Sequence, residues 1–186
     1  MSLLLHTCCA PCLAFPLNVL RQKGIDFTSY FFNPNIHPYK EFTRRMECYL
    51  SFVKEEHLNH ITDSHYGLKE FVRIIANNEE KKCSLCYLMR LEQTVLLAKE
   101  NNFSMFSTTL LYSKYQKHNL LVDVCRSLEK KHGVPFFYHD FRSGWQKGID
   151  LSRQLNMYRQ PYCGCIYSEQ ERYDPSLRKK SPVKNR

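Results

Sequence analysis

The sequence predicts a three-layer α/β domain in which helices cover both faces of a parallel β-sheet. Strand-like runs alternate with amphipathic helical runs along the chain, and neither a domain-sized linker nor an internal repeat interrupts them. The length of 186 residues fits one ordinary domain. Apolar residues make up 43% and charged residues 24%, which is a globular composition able to build a core without disulfide support.

The predicted elements follow from residue type and periodicity. Runs rich in β-branched, leucine and aromatic residues predict strands at residues 2–7, 26–32, 59–62, 103–109 and 134–139. Helical periodicity predicts helices at residues 39–57, 83–101 and 113–132, and an earlier helix that ends at residue 23. Gly24 and Gly133 follow two of these helices as C-terminal caps. Pro11 suits the first turn of the early helix, while Pro16 predicts a kink or a late start.

Composition also excludes several classes of protein. The six glycines are too widely spaced for a G-x-G-x-x-G or Walker loop. No apolar run approaches the ~20 residues of a membrane span, and the N-terminus lacks the pattern of a secretory signal. We therefore expect a cytoplasmic protein without membrane association.

Positive charge is concentrated at the C-terminus. The chain carries 27 basic and 18 acidic residues, and residues 175–186 hold five of the basic residues and no acidic one. The remaining 22 basic residues leave the body at only +4. This mild excess is compatible with a polyanionic partner and with a solvated surface. We expect a domain at residues 1–174 and a basic, disordered tail at 175–186.

Cysteine usage is unusual for a reducing compartment, in which structural disulfides do not persist. Seven of the nine cysteines fall into three groups: Cys8-Cys9-x-x-Cys12, Cys83-x-x-Cys86 and Cys163-x-Cys165. This grouping favours metal or redox chemistry over simple packing. Cys48 and Cys125 each stand alone in a helical pattern, so we expect them in the core.

The grouped cysteines are placed where parallel sheets bind ligands, beyond the carboxyl ends of the strands. Cys8 and Cys9 follow the first predicted strand, and Thr109 ends the fourth. Asp140 and Arg142 follow the last strand. A helix N-terminus next to Cys8 and Cys9 would stabilise thiolates.

Seven thiols exceed the four ligands of one tetrahedral zinc. A [4Fe–4S] cluster takes about four thiolates and often uses Cys-x-x-Cys. Cys8, Cys9, Cys83 and Cys86 are therefore the predicted cluster ligands.

The remaining grouped thiols allow two interpretations. Cys163 and Cys165 either form a strained, redox-active disulfide or, with Cys12, bind a second, mononuclear iron. Asp140 either completes that second site or donates a proton, so Cys12, Asp140, Cys163 and Cys165 are the catalytic candidates.

Several ordered stretches also carry a likeness to a known family. They are His6-Thr7-Cys8-Cys9-Ala10-Pro11-Cys12, Phe31-Phe32-Asn33-Pro34-Asn35-Ile36-His37-Pro38, Cys83-x-x-Cys86-Tyr87, Ser107-Thr108-Thr109-Leu110-Leu111, Asp140-Phe141-Arg142-x-Gly144 and Tyr158-Arg159-Gln160-x-Tyr162-Cys163-Gly164-Cys165-x-Tyr167-Ser168. In these stretches the sequence resembles the QueH family of epoxyqueuosine reductases, and the likeness spans residues 6–172.

This resemblance implies a single-domain, Rossmann-like fold related to the adenine-nucleotide alpha-hydrolase-like group, with cysteines in place of the phosphate loop. It implies a [4Fe–4S] cluster, a redox-active or metal-binding cysteine pair and an external electron donor whose identity the sequence does not give. The expected reaction reduces epoxyqueuosine in a tRNA anticodon to queuosine. Asn33, Asn35 and Arg142 are the candidate substrate-binding residues, because RNA-binding proteins commonly hydrogen-bond to splayed bases.

Two other function classes compete with this prediction. One is a non-catalytic, zinc-bound RNA-binding protein, and the other is a thiol–disulfide oxidoreductase. Seven grouped cysteines and a likeness over nearly the whole chain argue against both.

Overall fold

The computed structural model describes residues 2–177. Its parallel sheet contains β1 (Ser2–His6), β2 (Asp26–Phe31), β3 (His60–Thr62) and β4 (Met105–Thr108), in the order β3-β2-β1-β4. The helices of the described residues are α1 (Ala10–Gln22), α2 (Tyr39–Glu55), α3 (Leu68–Ile75), α4 (Lys82–Glu100), α5 (His118–His132), α6 (Trp145–Gln154) and α7 (Ile166–Tyr173). Short 3₁₀ turns include Thr109–Tyr112 and Phe141–Gly144.

Side chains that alternate along β1 create two apolar cores, one on each face of the sheet. Leu3 and Leu5 pack with α1 and α2, whereas Leu4 packs with α4 and α5. Strands buried on both faces need apolar residues at nearly every position, as the Leu3 to Leu5 run provides. The predicted three-layer α/β architecture is confirmed.

Strand order reverses at β1. The chain moves outward from β1 through α1 to β2 and through α2 to β3, and then returns through α3 and α4 to β4 on the other side of β1. The loops after β1 and β4 therefore meet, and the Cys8 amide donates to Thr109 Oγ1 at 3.1 Å. Such a reversal opens a crevice at the carboxyl edge of the sheet.

Two predicted elements differ from the structure. Residues 134–139 form only one parallel bridge, between Phe136 and Phe106. Pro135 precedes this bridge and has no amide proton to extend a ladder. The helix expected from residue 113 begins at His118, because residues 113–117 instead turn over α4, where Tyr87 bonds to both Gln116 and the Lys117 amide.

The start of α1 agrees with the position of Pro11 in the sequence. The helix begins at Ala10 with Pro11 in its first turn and continues through the buried Pro16, so it does not start late. By contrast, α3, α6 and α7 were not anticipated from periodicity. Of the predicted basic tail, Pro175–Leu177 form a 3₁₀ turn, and residues 178–186 lie outside the described residues.

From residue 2 to residue 177, none of the helices combines the length and the apolar character that a membrane span needs.

Packing of α6 against the 3₁₀ turn after β4 depends on a glycine. A Cβ atom on Gly148 would lie 2.1 Å from the Tyr112 hydroxyl oxygen, and that hydroxyl donates to the Trp145 carbonyl at 2.9 Å. We expect Gly148→Ala to lower the free energy of unfolding by about 1–3 kcal/mol through overpacking. Urea unfolding measures this, with the exposed Lys147→Ala on the same helix as the control. Equal stability of the two variants would contradict the packing argument.

Candidate metal and redox site

Three thiols meet at the start of α1. Cys8 lies in the loop after β1, Cys9 is the N-terminal cap of α1, and Cys12 lies in its first turn. Their sulfur atoms lie within 4.8 Å of one another, and the Cys8 and Cys9 sulfurs are 3.7 Å apart. A tetrahedral ion with metal–sulfur bonds of about 2.3 Å places its sulfurs at nearly this separation. The trio therefore has the chemistry and spacing of a metal-binding group.

The pKa values of the three thiols are shifted in opposite directions. Hydrogen bonds from Cys12 and Cys9 hold the pKa of the Cys8 thiol well below its usual range. Burial raises the pKa of Cys9, and hydrogen bonding to Cys8 and Cys9 raises that of Cys12. Thr109 donates to the Cys8 sulfur at 3.4 Å, and Gln160 donates to the Cys9 sulfur at 2.9 Å. The N-terminal amides of α1 further favour a thiolate here.

The second Cys-x-x-Cys motif lies in the first turns of α4. Cys83 is half-buried and Cys86 is buried, and burial raises the pKa of both thiols. Cys165 packs against the small apolar cluster that contains Cys86. Within residues 2–177, only the trio at α1 has three ligand atoms at single-ion spacing, and the predicted ligation of one cluster by Cys83 and Cys86 together with Cys8 and Cys9 stays a prediction.

Hydrogen bonds to main-chain carbonyls hold the Cys163-Gly164-Cys165 segment in place. Arg45 donates from Nη1 to the Cys163 carbonyl at 2.8 Å and from Nη2 to the Tyr162 carbonyl at 3.0 Å. Glu41 fixes Arg45 through its Nε at 2.7 Å. Gly164 has a φ of 146°, and a Cβ there would press on Arg45 at 3.1 Å, so glycine is required. All nine cysteines, each inside the described range, are free thiols in this structure.

The predicted substrate amides lie inside the protein. Asn33 and Asn35 are each 1% exposed. Asn33 donates to the Thr7 carbonyl at 3.0 Å and accepts from Arg90 at 2.6 Å. Asn35 Oδ1 is also buried, but it has no hydrogen-bond partner among the described residues. Contact of either amide with a base stays a prediction.

Asp140 and Arg142 form a pair with each other. Arg142 donates to both carboxylate oxygens, at 2.8 and 2.7 Å, and Asp140 caps the following 3₁₀ turn through the Arg142 amide. The Arg142 side chain lowers the pKa of Asp140 to about 2. The described residues that line the cavity beside the thiols do not include either one. The metal and proton-donor roles of Asp140 stay predictions.

A cavity of about 650 Å³ opens above the thiols. Cys8, Cys12 and Cys163 lie in its wall, together with side chains that the sequence prediction left without a role. These are Tyr115, Gln116, Trp145, Arg159, Gln160 and Arg172. Two signals could have found some of them: Trp145 is the chain's one tryptophan, and Gln160 lies three residues before Cys163.

Clustered thiols at the reversal point of a parallel sheet, next to a cavity of about 650 Å³, define an α/β protein with a cysteine group that could bind a metal. The chain belongs to the family described as Epoxyqueuosine reductase QueH, whose family model matches residues 3–171. The resemblance inferred from the sequence is thereby confirmed.

Individual relatives extend this result over nearly the whole chain. The Epoxyqueuosine reductase QueH of Dehalococcoides mccartyi is 37% identical over 172 residues, which cover 92% of this chain and 94% of that protein. The protein of the same name from Thermotoga maritima is 33% identical, with 92% of each chain covered.

A solved structure supports the fold alone. It is described as a predicted subunit of tRNA methyltransferase from Methanocaldococcus jannaschii, and it matches with a TM-score of 0.53 at 16% identity. The match covers 81% of this chain and 74% of the other. It agrees with the parallel α/β fold.

The Asp140–Arg142 pair predicts a pH dependence of stability. Because the folded pKa of Asp140 is lowered to about 2, its contribution is present above the unfolded value of about 3.9 and is lost as pH falls toward 2. The effect is small, since both side chains are more than a third exposed. We expect Asp140→Asn to be less stable than the parent at pH 7 and to approach it near pH 2.

Urea unfolding across this pH range measures the difference, and Asp123→Asn on the exposed side of α5 controls for the loss of a surface carboxylate. A stability difference that stays constant down to pH 2 would show that the carboxylate charge of Asp140 contributes nothing.

Proposed function

We propose that this protein reduces epoxyqueuosine at the wobble position of a tRNA anticodon to queuosine, the last step of queuosine synthesis. The family match over residues 3–171 carries this proposal. The thiol-lined cavity supports it, because a volume of about 650 Å³ accommodates a nucleoside.

The reaction is a two-electron, two-proton reduction. Both carbon–oxygen bonds of the epoxide break, a carbon–carbon double bond forms in the ring, and the oxygen leaves as water. An external reductase supplies the electrons. The protein must hold the epoxide beside an electron carrier, in a pocket shielded from bulk water.

The proposed carrier is a [4Fe–4S] cluster held by Cys8, Cys9, Cys83 and Cys86. When bound, such a cluster supplies electrons one at a time. Two features support this ligand set: both thiol pairs lie at the carboxyl edge of the sheet, and Arg90, one helical turn after Cys86 on α4, lines the same cavity as Cys8. A cluster is larger than one ion, so its ligands need not share the close spacing of the trio.

The other catalytic candidates retain two proposed roles. Cys12, Cys163 and Cys165 bind a second iron, with Asp140 as a further ligand, or Cys163 and Cys165 cycle between thiols and a disulfide. Cys12 and Cys163 line the cavity, which supports direct contact of either with the substrate. Arg45 holds the Cys163 carbonyl in place for both roles.

The cavity wall also suits an extruded nucleotide. Tyr115 is 84% exposed and meets Trp145 edge-on with ring centroids 5.5 Å apart. Arg159 and Arg172 line the same cavity. Aromatic rings stack on splayed bases, and arginine side chains pair with phosphates.

A product assay tests the function. Protein reconstituted anaerobically with iron and sulfide is incubated with a chemical reductant and tRNA that carries epoxyqueuosine. The tRNA is then digested, and the masses of the released nucleosides are measured by mass spectrometry. We expect loss of one oxygen from the modified nucleoside. No conversion by the iron-loaded protein would refute the proposal, and equal turnover of the free nucleoside would refute the tRNA substrate.

The cluster ligands can be tested separately. We expect Cys83→Ser and Cys86→Ser each to abolish broad absorbance near ~400 nm and to lower bound iron, because a hydroxyl replaces a thiolate poorly as a ligand of iron. Cys48→Ala and Cys125→Ala are the controls, since neither cysteine belongs to the three groups: Cys125 is buried on α5 and Cys48 is half-buried on α2. Full iron and sulfide content in either serine variant would overturn the ligand assignment.

A further inference from the structure

Arg90 is a buried cation without an acidic partner. It is 2% exposed and belongs to the largest fully buried side chains of the protein. Among residues 2–177, no carboxylate lies within 4.0 Å of its guanidinium. Arg45 is equally buried but pairs with Glu41 at 2.7 Å. The two arginines therefore differ in charge compensation rather than in burial.

Burial of a lone charge is costly unless an anion lies close by. The groups that can supply negative charge to Arg90 are thiols. Cys86 lies one helical turn before it on the same face of α4. Arg90, Cys8 and Cys163 line the same cavity.

The hydrogen bonds of Arg90 leave its buried Nε donor without a partner among the described residues. Its Nη2 donates to Asn33 Oδ1 at 2.6 Å, and Asn33 is fixed in turn by the Thr7 carbonyl. The Nε atom is buried and has no partner among the described residues. A buried donor of this kind is expected to have an acceptor in the working protein. Arg90 is thus both fixed in place and incompletely satisfied.

We propose that Arg90 is the countercation of the anionic metal–thiolate centre and stabilises its reduced, more negative form. This inference rests on the proposed function, because it needs a redox centre on Cys8 and Cys86. Arg90 acts through the centre and is a positioning and electrostatic residue, not a catalytic one. A fixed positive charge raises the reduction potential of a neighbouring iron–sulfur centre, as net charge and hydrogen bonding are known to do.

The potential of the reconstituted centre tests this directly. We expect Arg90→Met to weaken its affinity for an electron about tenfold, a potential lower by about 59 mV for a one-electron couple, at unchanged iron content. Arg90→Lys keeps the charge and should recover at least half of the shift. Arg126→Met removes an exposed arginine that pairs with Glu129 on the surface, and it should leave the potential unchanged.

Stability supplies a second measurement that does not use activity. In the parent protein, binding of the anionic iron–sulfur centre compensates the buried positive charge of Arg90. In Arg90→Met there is no such charge to compensate, so the thermal midpoint should rise more in the parent when the centre binds. The metal-free variant should fold as well as the metal-free parent. A purely structural role would lower the midpoint equally in both states.

Three results would overturn the proposal: an unchanged potential in Arg90→Met, an equal stability gain on loading, or a metal-free variant that does not fold. A parent protein that assembles no iron–sulfur centre would refute both this inference and the cluster assignment. An Arg90→Met variant with the parent potential would refute only the inference, since tRNA reduction by the parent is measured separately.

Discussion

The site depends on a neutral histidine at the point where strand order reverses. His6 ends β1, and its ring nitrogens hydrogen-bond to Thr108 Oγ1 on β4 at 2.9 Å and to the Phe32 carbonyl after β2 at 3.1 Å. Burial lowers the pKa of this imidazole to about 3, so it joins three strand ends without carrying a charge. The Cys8 amide to Thr109 contact lies directly above it. A shift of β4 against β1 would therefore disrupt the thiol group.

Much of this arrangement is predictable from sequence, because it follows from local rules. Tight spacing of Cys8, Cys9 and Cys12 next to a strand end and a helix start brings their sulfurs together in any α/β fold. The fifth strand was not predictable in the same way. Its residues have strand propensity, but Pro135 and the short β4 limit pairing to one bridge.

Side-chain burial in loops is the main property that the sequence does not show. Asn33 and Asn35 are residue types that commonly contact splayed bases, but the loop folds inward and buries both, and Asn33 bonds to the Thr7 carbonyl inside the protein. The burial of Asn33 depends on contacts between distant segments, such as its hydrogen bond from Arg90 across 57 positions. Asp140 and Arg142 lie two positions apart, and the sequence does not show whether they pair with each other or face a ligand.

Residues 162–164 are anchored through their main-chain carbonyls, so their position does not depend on the chemical state of the thiols. Arg45 holds the carbonyl oxygens of Tyr162 and Cys163, and the His37 amide donates to the Gly164 carbonyl at 2.8 Å. None of these bonds involves a sulfur atom. The two thiols can therefore gain, exchange or lose a bonding partner while their backbone stays docked, so turnover at the sulfurs need not loosen the surrounding fold.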